Sequence, residues 1–326
     1  MAIAGGKVTF NQLPVGIKDE LRYLTRIRRI FVRERSKALV LVRVLLDHFW
    51  PYIQGVPEVI EGKPVVKKIF DELKANVFLQ FMQLVPTPSM ALSLGVEGLL
   101  QLSRQHHLRL EQDRIELIIK SAKLAQPIDE TMLGYYTYHV RFQIDNIRRL
   151  NDEILRLEKK IESIFVRTAG VLLLSIQQIS VTTAAEYMAE VGLDLERYHS
   201  SSAIVKLAGT NPVPDSSAGH TGQMCISKQG NPWLRLTVTQ IGRNLIQPKG
   251  NPYFKAFAEH LSCRFAKQKQ VAAGNKFIRV SYAMLTKGQL FEPEAWTGPL
   301  LTVDPLSKLR SENVNTAQET LKLIMA

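Results

Sequence analysis

The chain is poor in cysteine and contains no long apolar run. Cys225 and Cys263 are the only two cysteines among 326 residues, too few for a disulfide framework or a cysteine-based zinc site. The longest apolar runs, ALVLV and AGVLLLSI, fall far short of the roughly 20 residues that span a bilayer. The opening MAIAGGKVTF lacks the apolar core of a signal peptide. These absences predict a reduced, cytoplasmic protein with no membrane partner.

Acidic residues are scarce in one long region near the end of the chain. Between Thr221 and Leu290 there are eleven basic residues and a single acid, Glu259, in a chain whose net charge is +12. Aromatic residues are interleaved with these cations. So lopsided a surface predicts a polyanionic partner, and nucleic acid fits best. A membrane-surface helix is the competing interpretation, but the charges are spread too widely for one.

Residues 18–49 predict a long amphipathic helix. Apolar residues recur at spacings of three and four, and Pro51 ends the pattern. The polar face carries a ladder of cations that could bind phosphates: Arg22, Arg26, Arg29 and Arg33. The alternative is a basic face that only meets solvent. From 52 to 130 the pattern is helical but broken by proline and glycine.

Residues 140–165 show the clearest periodicity. Apolar residues alternate steps of three and four over three heptads: Val140, Ile144, Ile147, Leu150, Ile154, Leu157, Ile161 and Ile164. Residues of both charges lie between them. The pattern predicts either a helical hairpin or a dimerising coiled coil.

Several stretches together resemble transposases of insertion sequence family 110/116/902, also called DEDD transposases or bridge recombinases. The arginine-rich helix, the turn LVPTPSMALSLG and the heptads are similar to that family in order. The most specific resemblance is a run of motifs: LAGTNP, a serine pair, ISKQGN, LR and MLTKGQLF. The resemblance covers nearly the whole chain from about residue 18.

The resemblance implies a DNA recombinase with two catalytic halves. An N-terminal domain related to Holliday-junction resolvases offers four carboxylates for magnesium, and a helical C-terminal domain offers a serine nucleophile. A structured non-coding RNA guides strand exchange. A serine hydroxyl is a weak nucleophile near neutral pH and needs a base or metal, with cations to stabilise charge on the phosphate.

The family serine falls on Ser217, with Ser216 as the adjacent alternative. The glycine that usually follows the serine is Ala218 here, and Gly219 comes one place later. Without the resemblance, NPVPDSSAGHTG would be read as a polar surface loop. The nucleic-acid contacts predicted in this half are Lys228 and Arg235 as phosphate clamps, with Arg243, Lys249, Lys267, Lys269, Lys276 and Arg279.

Two departures from the family limit what the chain is expected to do. The helix-hairpin-helix glycines are replaced at Gln178 and Ser180, which take positive φ less easily. The carboxylate domain is missing, since the first acids are Asp19 and Glu20. We therefore expect an N-terminally truncated copy with no metal site and no cofactor of its own. Magnesium is expected only if another chain supplies the carboxylates.

We predict a mainly α fold in three parts: a helical region at 1–130, a coiled coil at 131–166 and a serine domain at 167–326. The predicted function is DNA transposition or recombination, with DNA and a structured RNA as partners. The alternatives are a non-catalytic nucleic-acid-binding protein and an inert relic, so the enzyme question stays open. Association is expected through the coiled coil, with a second copy or with a full-length relative.

Overall fold

The computed structural model describes residues 16–214, 224–262, 265–293 and 302–325. The predicted mainly α fold is confirmed. The α-helices are α1 (Ile17–Phe49), α2 (Asn76–Leu84), α3 (Pro88–Gln105), α4 (Gln112–Lys123), α5 (Glu130–Phe165), α6 (Val181–Val191), α7 (Ser201–Ala208), α8 (Pro232–Ile246), α9 (Pro252–Glu259), α10 (Ala266–Lys287) and α11 (Ser311–Met325). Short 3-10 segments lie at Pro51–Gln54, Ala169–Ser175 and Pro305–Lys308.

Two antiparallel strand pairs interrupt the helices. β1 (Gly55–Ile60) pairs with β2 (Lys63–Lys68), and β3 (Pro212–Pro214) pairs with β4 (Met224–Ile226). The first pair corrects the helical prediction for residues 52–130. Glu61 and Gly62 have φ of 51° and 74°, as a two-residue type I′ hairpin turn requires. The β-branched residues on both sides of this turn favour strands.

The described residues form two compact units. The first combines the residues up to Arg28 with those from Leu157 onward, and the second runs from Arg29 to Arg156. The first unit has a core built on α6, α8, α10 and the Ala169–Ser175 segment, and includes Tyr187 and Phe277. The second has its own core, in which Trp50, Phe78 and Phe81 are almost fully buried.

The heptad seam of α5 is buried within the chain. In the second unit, Val140, Ile144 and Ile147 join the same core cluster as Val42 and Leu46 of α1. The His48 and Tyr136 rings stack there with centroids 5.1 Å apart. In the first unit, Leu21 shares a core cluster with the later seam residues. These seam residues are thus buried in cores that α1 also enters, and the choice between a helical hairpin and a dimerising coiled coil stays a prediction.

Among the described residues, no single helix is long and apolar enough to cross a membrane. Only α2 and α3 taken as a pair reach the required length and composition, and they are bent by 103° at the break between them.

Candidate nucleic-acid interface

The segments that precede β3 and follow β4 are joined by backbone hydrogen bonds. The Lys228 amide donates to the Gly209 carbonyl over 3.1 Å, and the Asn231 amide donates to the Leu207 carbonyl over 2.7 Å. Gly209 ends α7 with φ of 64°, and a Cβ there would overlap the Gln229 carbonyl oxygen. The turn therefore needs glycine both for its conformation and for the close approach of the backbone.

The predicted nucleophile is not located by these contacts. Ser217 and its alternative Ser216, like Ala218 and Gly219, lie outside the described residues. What is described is the base from which their loop leaves: β3, β4 and the segment that leads into α8. The exposed thiol of Cys225 lies on β4, opposite Val213.

Two side-chain pairs join this base to its surroundings. Thr210 Oγ1 donates to Asn275 Oδ1 over 2.6 Å, and Asn275 Nδ2 donates to the Thr210 carbonyl over 3.1 Å. Ser227 Oγ donates to Asn211 Oδ1 over 2.7 Å. Asn275 belongs to α10, so α10 orients the strand that enters the loop. Sequence reasoning missed Asn275 because no local pattern links it to a position 65 residues earlier.

Arg235 supports the loop base rather than pointing free into solvent. Its Nη1 donates to the Lys228 carbonyl over 2.8 Å and lies 3.4 Å from the Ala208 carbonyl oxygen. Lys228 itself is exposed and has φ of 54°. Arg235 thus holds the backbone of Lys228, whose exposed side chain can reach a phosphate. The phosphate contact predicted for Arg235 remains a prediction.

A buried carboxylate organises the start of α8. Glu190, only 4% exposed, accepts two hydrogen bonds of 2.8 Å from Arg26 and one of 2.6 Å from Asn231 Nδ2. Burial acts to raise the pKa of Glu190, but the hydrogen bonds from Arg26 and Asn231 outweigh it and hold that pKa below its ordinary value. Asn231 Oδ1 caps α8 by accepting from the Trp233 and Leu234 amides.

The first arginines of α1 are therefore engaged inside the first unit. Arg22 Nε donates to the Ala189 carbonyl over 3.1 Å and lies 3.9 Å from Glu190. The Arg26 guanidinium also lies 5.4 Å from the centre of the Trp233 ring. Of the predicted ladder, Arg33 is exposed and Arg29 is half-buried, both in the second unit. Two acids within the apolar helix VTTAAEYMAEV, Glu186 and Glu190, were the available signal of buried partners.

The other predicted cations lie on three consecutive elements of the first unit. Those that are exposed are Arg243 on α8, Lys249 before α9, and Lys267 and Arg279 on α10. Lys269 and Lys276 are half-buried, and the Lys276 ammonium lies 5.3 Å from the Tyr253 ring centre. Exposed cations thus lie on α8, on α10 and between α8 and α9, and each can neutralise a phosphate.

The turn before α6 keeps a left-handed residue without glycine. Gln178 has φ of 70°, although glutamine takes this conformation less easily than glycine. Its Nε2 donates to the Lys249 carbonyl over 2.7 Å. Lys308 donates to the Ile176 and Ile179 carbonyls over 2.8 and 2.9 Å, and burial lowers its pKa to about 8. These tertiary bonds offset the backbone strain.

Among the described residues there is no group of three or more His, Cys, Asp and Glu that could hold a metal ion. The three most buried glutamates are each bound by arginine: Glu162 by Arg310, Glu186 by Arg28 and Glu190 by Arg26. Carboxylates neutralised in this way do not form the open oxygen cluster that magnesium requires. The described residues therefore do not fit a magnesium site.

Residues 171–259 match the model of the transposase IS116/IS110/IS902 family. This stretch contains α6 to α9, the Glu190 carboxylate and the loop that carries the predicted serine. The match supports the family resemblance and a role in DNA transposition or recombination. No curated protein is significantly similar to the chain.

Proposed function

We propose that this chain is a DNA-binding transposition protein whose first unit holds DNA and presents the serine loop to it. The observation that carries the proposal is the match over residues 171–259, which contains a loop base fixed to α7, α8 and α10. The proposed phosphate contacts are Lys228, Arg243, Lys249, Lys267, Lys269 and Arg279, all exposed except the half-buried Lys269. We also propose a structured RNA as a second nucleic-acid ligand of this chain.

DNA binding is tested by the salt dependence of the affinity. Each phosphate contact on B-form DNA contributes about −0.9 to the slope of log affinity against log salt. Replacing Lys267, Lys269 and Arg279 by glutamine should make the slope less steep by up to about 2.7. Replacing Glu259 by glutamine is a control of the opposite sign, because it removes an exposed acid on neighbouring α9 and should not flatten the slope. A wild-type slope near zero would contradict the proposal.

The proposed chemical step is a transesterification at Ser217. Its Oγ forms a bond to phosphorus as one strand P–O bond breaks, which leaves a phosphoserine ester. The serine proton ends on the released strand hydroxyl, so the step is balanced. Lys228 stabilises the extra negative charge on the phosphate as the step proceeds. The group that moves the proton is proposed to come from the carboxylate domain of another chain.

The serine assignment is tested by trapping a covalent adduct on nicked DNA, with a full-length family transposase present. Ser217→Ala should abolish the adduct formed by this chain, whereas Ser216→Ala should retain it. The two variants are matched because each removes one hydroxyl from the same loop. An adduct that survives Ser217→Ala and disappears in Ser216→Ala moves the assignment to Ser216.

The alternative is a non-catalytic protein that binds nucleic acid and associates with a full-length relative or a second copy through a surface of α5 other than its buried seam. The arginine-bound state of the buried glutamates favours it, because they are not available as catalytic carboxylates. If the wild-type chain and both serine variants bind DNA but form no covalent adduct, this alternative is supported. If the chain neither binds DNA nor forms an adduct, the inert relic remains as the interpretation.

A further inference from the structure

The hairpin Gly55–Lys68, which we call the ribbon, has one face that carries exposed valines. Pro57 pairs with Val66 and Val59 pairs with Pro64, and paired residues of antiparallel strands point to the same side. Val56 is fully buried. Because side chains alternate between the two faces of a strand, Pro57 and Val59 point to the other face, away from the core. Val59 is 75% exposed and Val66 is 64% exposed. The outward face is therefore apolar.

The ribbon is firmly held at its base. Val56 and Ile69 are fully buried at its two ends, and Glu58 accepts a hydrogen bond of 2.7 Å from Lys120 of α4. A free two-stranded hairpin is only marginally stable in water. This anchoring keeps the ribbon in place while every residue from Glu61 to Lys68 is exposed.

The charge of the ribbon favours an anionic partner. It carries Lys63, Lys67 and Lys68, all exposed. Of its two acids, Glu58 is paired with Lys120, which leaves Glu61 at the turn. Lys68 lies on the same face as Val59 and Val66, whereas Lys63 and Lys67 lie on the face of Val56. Lysines at both faces of a ribbon with exposed valines suit a surface that presents both phosphates and apolar groups, and a nucleic-acid groove is such a surface.

We propose that the ribbon is a second DNA-binding element, which lies in the major groove of B-form DNA. That groove is about 12 Å wide and admits a two-stranded ribbon. In this position Val59 and Val66 contact base edges such as thymine methyl groups, and Lys68 contacts a phosphate from the same face. Lys63 and Lys67 reach phosphates at the rim of the groove from the opposite face of the ribbon. The deep, narrow major groove of A-form RNA does not admit such a ribbon. The inference rests on the proposed DNA-binding function and extends it to the second unit.

The test uses the full chain and a labelled DNA duplex, with affinity measured against salt. The ribbon variant replaces Lys63, Lys67 and Lys68 by glutamine. The control replaces Lys74, Arg114 and Lys123, three cations of the same unit outside the ribbon, by glutamine. The ribbon variant should make the slope less steep by up to about 2.7. The control should leave it unchanged at the same net charge.

The apolar contact is tested separately with Val59→Thr and Val66→Thr, which keep a β-branched side chain in each strand. Affinity should fall by roughly fourfold for each valine, the effect of losing about one buried methylene. The salt slope should not change, since no phosphate contact is removed. Unchanged circular dichroism shows that the variants fold.

Several outcomes would overturn the proposal. Equal slopes for the ribbon variant and the control would remove the ribbon from the DNA interface. Valine variants that weaken self-association, measured by sedimentation, without changing DNA affinity would identify a second copy as the occupant. Equal dependence on the ribbon for an RNA duplex would overturn the choice of DNA.

These outcomes are separable from failure of the proposed function. If the variant at Lys267, Lys269 and Arg279 flattens the slope and the ribbon variant does not, the first unit binds DNA and the ribbon inference fails. If only the ribbon variant flattens the slope, the ribbon inference stands and the proposed interface of the first unit fails. If the wild-type chain binds no DNA, both fail.

Discussion

At the scale of single residues, the clearest organising feature is Glu190. A buried carboxylate is stabilising only when its partners remain in place, and this one is held by Arg26 and by the asparagine that caps α8. Asn231 links Glu190 to the loop base, because the Asn231 backbone amide also donates to the Leu207 carbonyl at the end of α7. Glu190 is thus a positioning residue for the loop base.

We predict that Glu190→Gln destabilises the fold by about 1.5–3 kcal/mol, because the charge-assisted hydrogen bonds of Arg26, whose side chain is 36% exposed, are weakened beside a neutral group. Glu153→Gln is the control, since the Glu153 side chain is 41% exposed and pairs with Arg156 near the surface; its effect should stay below about 1 kcal/mol. Denaturant unfolding measures both. A Glu190→Gln value as small as that of the control would contradict the prediction.

The same group makes a prediction for acid pH. The pKa of Glu190 is lower in the folded protein than its ordinary value of 4.5, so the unfolded chain binds the proton more tightly. The stabilisation is fully present above that ordinary pKa and is lost as the pH falls through the folded value. Glu190→Gln should therefore have a flatter loss of stability below pH 4.5 than the wild type, measured by denaturant unfolding across that range.

Residue pairs far apart in sequence were the part that the sequence did not reveal. The α1 arginines were predicted to meet phosphates because the helix shows a basic face. The structure gives two of them partners in α6, and Arg26 lies 164 positions before Glu190. No local periodicity encodes such a pairing. The exposed cations of α8 and α10 were easier to identify, because a basic surface shows in composition alone.

At the scale of elements, helix α1 was predicted to within one residue, at 18–49 against Ile17–Phe49. Its apolar spacing and Pro51 are local signals of a start and an end. The β1–β2 ribbon was missed because its turn, Glu61-Gly62, lacks the asparagine or aspartate usual in this hairpin type. The valines around it could have indicated strands.

The crossing of α8 and α10 depends on two glycines. A Cβ at Gly242 would overlap the Gln270 carbonyl oxygen, and one at Gly274 would lie 2.5 Å from the Val238 carbonyl oxygen. Both helices reach the predicted DNA surface. Small residues here allow the two backbones to approach and thereby set the spacing of the cations that they carry.

We predict that Gly242→Ala destabilises the first unit by about 1–3 kcal/mol, through steric overlap that the packed backbone cannot relieve. Gly134→Ala is the matched control. Gly134 lies in a helix with nothing within 4 Å of an added Cβ, so alanine there should be stabilising by about 0.5–1 kcal/mol. Thermal unfolding measures both. Effects of the same sign would show that the crossing is not sterically limited.

At the scale of the whole molecule, the described part of the chain has two cores. One is built around Tyr187 and Phe277, and the other around Trp50, Phe78 and Phe81. The family match falls entirely in the first unit, whereas the ribbon belongs to the second. Damage to one core should therefore be distinguishable from damage to the other.

We predict that Phe78→Ala destabilises the second unit by about 3–5 kcal/mol, as expected for a cavity at a fully buried ring. Amide hydrogen exchange should become faster in α2 and α4 while protection in α8 and α10 is retained. Phe277→Ala should give the reverse pattern. Uniform loss of protection in either variant would mean that the two cores unfold as one.

The discontinuous first unit has a consequence for biosynthesis. Arg26 is translated 164 residues before Glu190, which at ribosomal rates of about 5–20 residues per second is a delay on the order of ten seconds or more. The second unit has its complete sequence before Glu190 is made, whereas the start of α1 waits for its partner. The rate of translation between Arg26 and Glu190 thus sets how long Arg22 and Arg26 lack their partners in α6 and can bind cellular polyanions instead.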